Sequence, residues 1–243
     1  MRASNVAALI AYCACTATLG AQTAPPTSVS ALVTVTTNGM STVPAFTLGR
    51  PAALGYLFVR RGAFALEPEF RTGLDGKPWA FILWGRYRLQ RQRWNLGISA
   101  HPAINFKSTT IVTNGVSRDM IVARRYLVGE LTPTYVVSRY AAVGLTYLYL
   151  HGVESDVARH THFVSLRSAH PLPLASGFAL RLAPQLYYLT MATEEGTYVF
   201  GQVMLSRRGW PISVGTAGNK PLHTSIPAGN EFTWNVSGNY AIQ

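Results

Sequence analysis

Apolar and polar residues alternate along most of the chain. In the run 79–89, Trp79, Phe81 and Leu83 share one face, and Arg86 and Arg88 lie on the other. Because successive side chains of a strand point to opposite faces, this pattern predicts strands with one apolar face. Most such runs exceed the five or six residues of an average soluble strand and approach the roughly 9–11 of a tilted membrane-crossing strand. The other runs are residues 29–35, 64–71, 94–107, 127–135, 178–188 and 232–242.

Twelve strands counted from Ser28 leave two alternating kinds of connection. Short turns at one end and longer polar loops at the other are typical of transmembrane β-barrels, and an even strand number brings both chain ends to the short-turn side. Weaker alternation near 162–168, 198–207 and 212–216 leaves ten strands as an alternative. The short connections are 60–62, 90–93, 137–140, 169–176 and 207–210, and the others are 40–52, 72–78, 108–119, 151–160, 192–196 and 217–230.

Charged and aromatic residues follow the same division. Acidic residues such as Glu154 and Glu231 lie in or beside the longer loops, whereas arginines such as Arg60 and Arg207 lie at the short turns. Aromatic residues gather near both ends of the predicted strands, as the girdles of a membrane barrel do. Anionic lipid attracts cations, so we expect the short turns on the periplasmic side of an outer membrane.

Four prolines lie inside predicted strands, all on the apolar face: Pro68, Pro102, Pro133 and Pro184. Proline has no backbone N–H, so each one removes a hydrogen bond from the ladder. We interpret these positions as bulges or as places where pairing between neighbouring strands relaxes.

The first residues predict export. Arg2 precedes an alanine-rich apolar run over residues 6–19, and small residues follow at 20–22. This is the pattern of a signal peptide, which we place at 1–21, leaving a mature barrel domain at 22–243. The run is too short for a comfortable membrane-spanning helix. Both cysteines, Cys13 and Cys15, lie in the leader, so the mature chain would form no disulfide.

Net charge alone would permit a nucleic-acid partner. The chain has 21 Lys and Arg against 10 Asp and Glu, a formal charge of +11. Only 13% of its residues are charged, however, and the arginines are dispersed instead of clustered on one face. We therefore expect membrane lipid and no nucleic acid as the partner. The sequence gives no oligomeric state.

Charged residues on the polar faces of the strands are candidates for lining the lumen. Pairing the predicted strands on either side of 72–78 brings Glu67 near Trp84 or Arg86, and Glu69 within a diagonal step of Arg86 or Arg88. One interpretation is a charged constriction whose net positive lining favours small anions. The other is an ionic plug that fills the barrel, and twelve strands are compatible with both. The candidates are Glu67, Glu69, Arg71, Arg86, Arg88, His101, Lys107, Arg124, Glu130 and Arg181.

Catalytic and metal sites receive less support. Glu67 and Glu69 face arginines and would both stay ionised, which disfavours acid–base hydrolysis. His160 and His162 have the spacing of a metal-binding pair but no further ligand fixed beside them. A lipid-hydrolysing barrel needs a nucleophilic serine beside a histidine, and Ser165 falls on the opposite strand face from His162. We therefore predict no catalytic residue, metal or cofactor.

With these strands, girdles and loops, residues 28–242 resemble bacterial outer-membrane β-barrel proteins of the porin-like kind. The segment 36–79 resembles the opening of uncharacterised barrels from Bacteroidetes-type bacteria. The chain ends on Tyr240-Ala-Ile-Gln243, which departs from the terminal aromatic residue of that class.

The resemblance implies an antiparallel up-and-down barrel in the outer membrane, assembled with periplasmic chaperones and the barrel-assembly machinery. It also implies passive passage of small solutes. A closed structural or surface-interaction barrel is the alternative, and a secreted β-sandwich is a third.

Overall fold

The computed structural model describes residues 25–113 and 116–242, and the predicted leader lies outside them. Twelve antiparallel strands form a closed barrel in which each strand pairs with its neighbours in the chain and β1 pairs with β12. The prediction of a twelve-stranded all-β barrel is confirmed. The strands are β1 Thr27–Thr36, β2 Ala52–Arg61, β3 Phe64–Gly73, β4 Pro78–Arg91, β5 Trp94–Thr113, β6 Val116–Ser138, β7 Ala141–Gly152, β8 His160–Pro173, β9 Phe178–Met191, β10 Glu194–Arg207, β11 Ile212–Thr224 and β12 Thr233–Ile242.

The two ends of the barrel differ in their connections. We call the end that carries 62–63, 92–93, 139–140, 174–177 and 208–211 the turn end, because its connections are all short. The loop end carries the longer segments 37–51, 153–159 and 225–232. It also carries the short connections 74–77 and 192–193. The predicted asymmetry is thus present, but it rests on three long loops.

Two predicted loops are strand instead. Residues 108–119 were expected to be a loop, yet β5 and β6 pair as far as Thr113 and Val116. Pairing of β5 with β4 ends at Asn105, so the outer part of this hairpin projects beyond its neighbours. Similarly, β11 continues through the predicted loop 217–230 as far as Thr224. In both cases the adjoining hairpin arm supplies strand partners, which extend the ladder past the alternating core of the barrel.

The apolar faces point away from the lumen, as predicted. Val29, Phe64, Leu127 and Trp234 are each more than half exposed. Aromatic side chains pack on one another near both ends, with ring centroids of Trp94 and Tyr135 4.9 Å apart. A soluble protein rarely exposes so continuous an apolar surface, whereas a lipid-facing barrel requires one.

Trp79 departs from the predicted face. It was placed with Phe81 on the outward side, but the β3–β4 register shifts beside it, so that Arg71 pairs with Ala80 and Thr72 with Pro78. This bulge turns the Trp79 side chain inward, where it is only 2% exposed. Bulges re-aim side chains in this way because two residues oppose one on the neighbouring strand.

The four strand prolines relax pairing and do not form bulges. Beside Pro68, the β2–β3 ladder stops after Tyr56–Glu69 and resumes at Val59–Leu66 in the same register. Ladders are interrupted in the same manner beside Pro102, Pro133 and Pro184. Each gap lies where proline cannot donate a hydrogen bond.

At the closure of the barrel, Tyr240 pairs with Val33 on one side and with Ile212 on the other, so the last strand is paired along both edges. Among the described residues, no helix is long and apolar enough to cross a membrane.

Candidate functional site

The lumen has two halves of different chemistry. Toward the turn end, the inward side chains are mostly arginine, carboxylate and small polar groups. Toward the loop end, they include two clusters of buried aromatic and aliphatic side chains, and loop residues pack against both clusters. The strand register decides this division, because it stacks residues of similar character from neighbouring strands at the same height.

Glu67 is the centre of the charged half. Its carboxylate accepts hydrogen bonds from Arg86 Nε at 2.6 Å, Arg88 Nη2 at 3.1 Å and Arg60 Nη2 at 3.2 Å. These arginines come from β4 and β2, the strands on either side of β3. The Glu67 side chain is 8% exposed, whereas Arg60 and Arg88 are nearly half exposed to the lumen. One buried carboxylate therefore holds three guanidinium groups.

Arg86 extends this cluster across the lumen wall. Its Nη1 atom donates to Glu130 Oε1 on β6 and to Ser99 Oγ on β5, both at 3.1 Å. The guanidinium carbon also lies 4.0 Å from the ring centre of Trp84. The predicted approach of Glu67 to Arg86 and Trp84 agrees with this geometry, since Glu67 pairs directly with Trp84.

Glu69 has a different partner from the one predicted. It was expected near Arg86 or Arg88, but the register places Ile82 opposite it. Glu69 instead accepts a hydrogen bond at 2.6 Å from Arg71 Nε, on its own strand. The Arg71 guanidinium lies over the Trp79 ring at 4.9 Å, so this ion pair is attached to the loop-end half.

Two further arginines line the lumen with no carboxylate partner. Arg167 on β8 and Arg181 on β9 both border a cavity of about 350 Å³. No salt bridge involves either of them within residues 25–113 and 116–242. Arg181 is among the predicted lumen residues, whereas Arg167 is not, because alternation along 162–168 is weak. Phe163 and Ser165, four and two residues before Arg167, also point inward, and this period of two is the signal that locates Arg167.

A second polar cavity, of about 410 Å³, lies beside the first. Arg86, Arg88 and Arg167 border it, together with Glu130. The charged half as a whole carries five guanidinium groups, from Arg60, Arg86, Arg88, Arg167 and Arg181, against the carboxylates of Glu67 and Glu130. Its lining is therefore net positive.

Loops 37–51 and 225–232 close the loop end with an apolar plug. Val43 of the first loop and Ile226 of the second are 6% and 2% exposed. They pack on Phe163, Tyr187 and Leu189, inward side chains of β8 and β9. Apolar loop residues thus fill part of the lumen at the loop end.

Specific contacts hold the plug in place. Trp79 Nε1 donates a 2.8 Å hydrogen bond to the Phe46 carbonyl in loop 37–51. Arg50 of the same loop pairs with Asp75 at 2.7 Å. Gly229 in loop 225–232 sits so close to its neighbours that a Cβ there would lie 2.6 Å from the Tyr198 hydroxyl and 2.9 Å from Pro44.

Lys107 and Arg124 lie on the projecting part of the β5–β6 hairpin, beyond the closed ladder. Lys107 is exposed. Arg124 Nη2 donates to Asp156 at 2.6 Å, and the neighbouring Arg125 donates to Glu154. These residues tie loop 153–159 to the hairpin. His101, by contrast, is buried in the lumen, with its ring centre 3.8 Å from that of Trp84.

Within residues 25–113 and 116–242, the candidate residues for metal binding and for lipid hydrolysis do not come together. His160 and His162 point outward, where their Nδ1 atoms lie 2.7 and 2.9 Å from the hydroxyls of Tyr149 and Tyr147. Ser165 points inward and is 1% exposed, so it cannot reach His162. In the part of the chain that the structure describes, no group of three His, Cys, Asp or Glu residues could hold a metal ion.

Comparison with known proteins gives structural similarity only. No protein-family model matches the chain, and its sequence matches no curated protein. Three solved structures are similar: a KdgM porin in complex with disordered oligogalacturonate, a NanC porin and an outer membrane channel from Pseudomonas putida F1. Their TM-scores are 0.53, 0.53 and 0.52, and their sequence identities are 10%, 8% and 10%.

The similarity spans almost the whole of each protein. It covers 88%, 89% and 90% of this chain and 99%, 100% and 96% of the others, in the same order. The resemblance of segment 36–79 to Bacteroidetes-type barrels stays a prediction. The closed twelve-stranded barrel of this chain is therefore similar in fold to these outer-membrane porins and this outer-membrane channel.

Proposed function

We propose that the chain is a narrow outer-membrane channel that passes small solutes and favours anions. The observation that carries this proposal is the net positive lining of the charged half, in which Arg167 and Arg181 face cavities without a carboxylate partner. Guanidinium groups held in a lumen lower the barrier for an anion and raise it for a cation. Because Glu67 and Glu130 compensate only part of the charge, an anion would meet a favourable potential along this half.

A series of cavities supports passage along the lumen. The two polar cavities share Thr134 and Arg167. A third cavity, of about 240 Å³, shares Phe200 and Gln202 with one of them and reaches Met40 in loop 37–51. This line of cavities approaches the underside of the plug, and we propose that loops 37–51 and 225–232 form the narrowest part of the route. The proposed solutes are correspondingly small.

Location in the outer membrane is part of the proposal. The exposed apolar faces and aromatic girdles suit contact with lipid. The arginine-rich turn end suits the side of the membrane with more anionic phospholipid. A barrel of this kind needs export, periplasmic chaperones and the barrel-assembly machinery, which we propose as its partners.

Conductance in planar bilayers tests the proposal. We expect current steps from the purified mature chain, and a reversal potential under a salt gradient that has the sign for anion preference. The double variant Arg167→Gln/Arg181→Gln should lower the anion-to-cation permeability ratio about threefold or more, because it removes the two uncompensated lumen charges.

A matched control removes two cations that lie outside the lumen. Lys220→Gln/Arg159→Gln changes one exposed side chain on β11 and one in loop 153–159. Its permeability ratio should stay close to that of the parent. Cation preference in the parent, or equal ratios in both double variants, would reject anion passage through the charged half.

The plug favours a second candidate function, a closed barrel whose loops form a surface for other molecules. Val43 and Ile226 are buried as completely as core residues of a soluble protein, so the plug can act as a permanent stopper. Absence of conductance in both the parent and a variant with a loosened plug would support this closed barrel and exclude the channel. Lipid hydrolysis is not proposed, because Ser165 and His162 lie on opposite faces of β8.

A further inference from the structure

An apolar cavity lies under loop 37–51, separate in character from the charged half. It has a volume of about 130 Å³. Four aromatic side chains form much of its wall: Phe46 from the loop, Trp79 and Trp84 from β4, and Tyr126 from β6. Phe46 and Tyr126 meet edge to face with their ring centres 5.0 Å apart, so the wall is well ordered.

Three polar side chains at this cavity, Arg71, Asn105 and His101, have partners within the protein. The Arg71 guanidinium is bound to Glu69 and covers the Trp79 ring. Asn105 Nδ2 donates to the Trp79 carbonyl at 3.3 Å. His101 packs against Trp84. The lining therefore presents no uncompensated charge, which disfavours an ion as occupant, because a buried charge needs a partner.

The size of the cavity matches a single aromatic ring. In another protein, an engineered apolar cavity of about 150 Å³ stays dry and binds benzene. Aromatic walls add edge-to-face and offset contacts that an aliphatic occupant does not make.

We propose that this cavity is a binding site for one small, uncharged, single-ring aromatic molecule. The ring lies among Phe46, Trp79, Trp84 and Tyr126, beneath the plug. None of Arg86, Arg88, Arg167 and Arg181 lines the cavity, so the site can be tested apart from anion passage. Trp84 borders the charged half, because the Arg86 guanidinium lies over its ring.

Tryptophan fluorescence gives a direct measurement. Three tryptophans, Trp94, Trp210 and Trp234, are more than half exposed, and replacing them with Phe leaves Trp79 and Trp84 as reporters in the cavity wall. The mature chain in detergent micelles is titrated with iodobenzene, a heavy-atom quencher of the proposed size. We expect quenching that saturates, because only one ring fits beside the two reporters.

Two alanine variants provide the matched comparison. Ala103 lines the apolar cavity and Ala183 lines a polar cavity. Ala103→Leu fills much of the apolar cavity and should weaken the apparent affinity about tenfold or more, while Ala183→Leu should change it less than about twofold. Linear, unsaturated quenching in the reporter protein, or the same saturation in Ala103→Leu, would overturn the proposal.

Leu148→Ala is a second variant for the case in which Ala103→Leu does not fold. Folding is checked by the heat-dependent shift in electrophoretic migration that folded barrels show. Leu148 also lines the cavity, and its truncation enlarges it. This variant should bind 1-iodonaphthalene saturably, whereas the reporter protein should not. Equal behaviour of the two proteins toward the larger ring would contradict the site. Reversal potentials in bilayers are measured separately, so a negative result here is distinguishable from failure of the channel proposal.

Discussion

Arg86 Nε donates a hydrogen bond to Glu67 Oε2 across 2.6 Å, between strands β4 and β3. The same guanidinium donates to Glu130 on β6, so one side chain connects carboxylates that lie on opposite sides of β4 and β5. Charge-assisted bonds of this kind are short and directional. They fix the arginines of the charged half along the wall of the lumen.

Glu67→Gln should destabilise the barrel and increase its anion preference. The change leaves Arg60, Arg86 and Arg88 without their shared counter-charge. Because Arg60 and Arg88 remain about half exposed to the lumen, we expect a loss of about 1–3 kcal/mol in the free energy of unfolding, less than for a fully buried pair. Urea unfolding in lipid vesicles measures the first effect and the bilayer reversal potential the second.

Glu231→Gln is the control for this experiment, since Glu231 is exposed in loop 225–232. It should change neither quantity appreciably. A Glu67→Gln protein as stable as the parent and with an unchanged reversal potential would show that the cluster does not shape the lumen potential.

Gly229→Ala should loosen the plug. The added Cβ would lie 2.6 Å from the Tyr198 hydroxyl and 2.9 Å from Pro44, so loop 225–232 must move away from loop 37–51. We expect a loss of about 1–3 kcal/mol, as for overpacking in a core, together with larger or more frequent current steps. Single-channel recording provides the measurement.

Gly238→Ala is the control for the plug, because a Cβ at Gly238 in β12 meets nothing within 4 Å. It should leave the current steps as they are in the parent. Currents from Gly229→Ala that match those of Gly238→Ala would mean that these loops do not set the width of the route.

The strands were predictable from sequence because a period of two is a local property. Residues such as Phe64, Leu66 and Phe70 alternate with polar neighbours whatever the rest of the chain does, and their faces came out as expected. Even the ladder gaps beside Pro68 and Pro184 follow from a missing N–H that can be read directly from the sequence.

The interior was less predictable, because it depends on register and on loops. A one-residue bulge turned Trp79 from the lipid face to the lumen, and no local pattern marks that shift. Val43 and Ile226 lie in loops whose polar and proline-rich composition hides their burial. The partner of Glu69 depended on which β4 residue stood opposite, and that choice is fixed only once β3 and β4 are paired.

Loop 153–159 should detach from the β5–β6 hairpin in acid. The side chain and backbone N–H of Arg125 donate hydrogen bonds to Glu154, and the side-chain bond does most to lower the pKa of this carboxyl below its usual 4.5. Because the pKa is depressed in the folded state, the anchoring is complete above about pH 4.5 and is lost as the pH falls through the lower folded value.

Hydrogen exchange of residues 153–159 measured against pH tests this behaviour. We expect faster exchange, relative to the intrinsic rate, only at acidic pH. In Glu154→Gln the relative exchange should be raised at neutral pH and should stay nearly constant across the same range. A loop that remains equally protected in the parent from neutral pH to well below pH 4.5 would argue against this anchor.

The membrane barrel and the proposed channel both require that the outward faces of the strands contact lipid and that the inward faces do not. Quenching by phospholipids brominated on the upper acyl chain tests this most directly, in proteins that retain only Trp94, which is 58% exposed, or only Trp84, which lines the lumen. We expect strong quenching of Trp94 and little quenching of Trp84. Quenching of Trp84 as strong as that of Trp94 would contradict this arrangement of the faces.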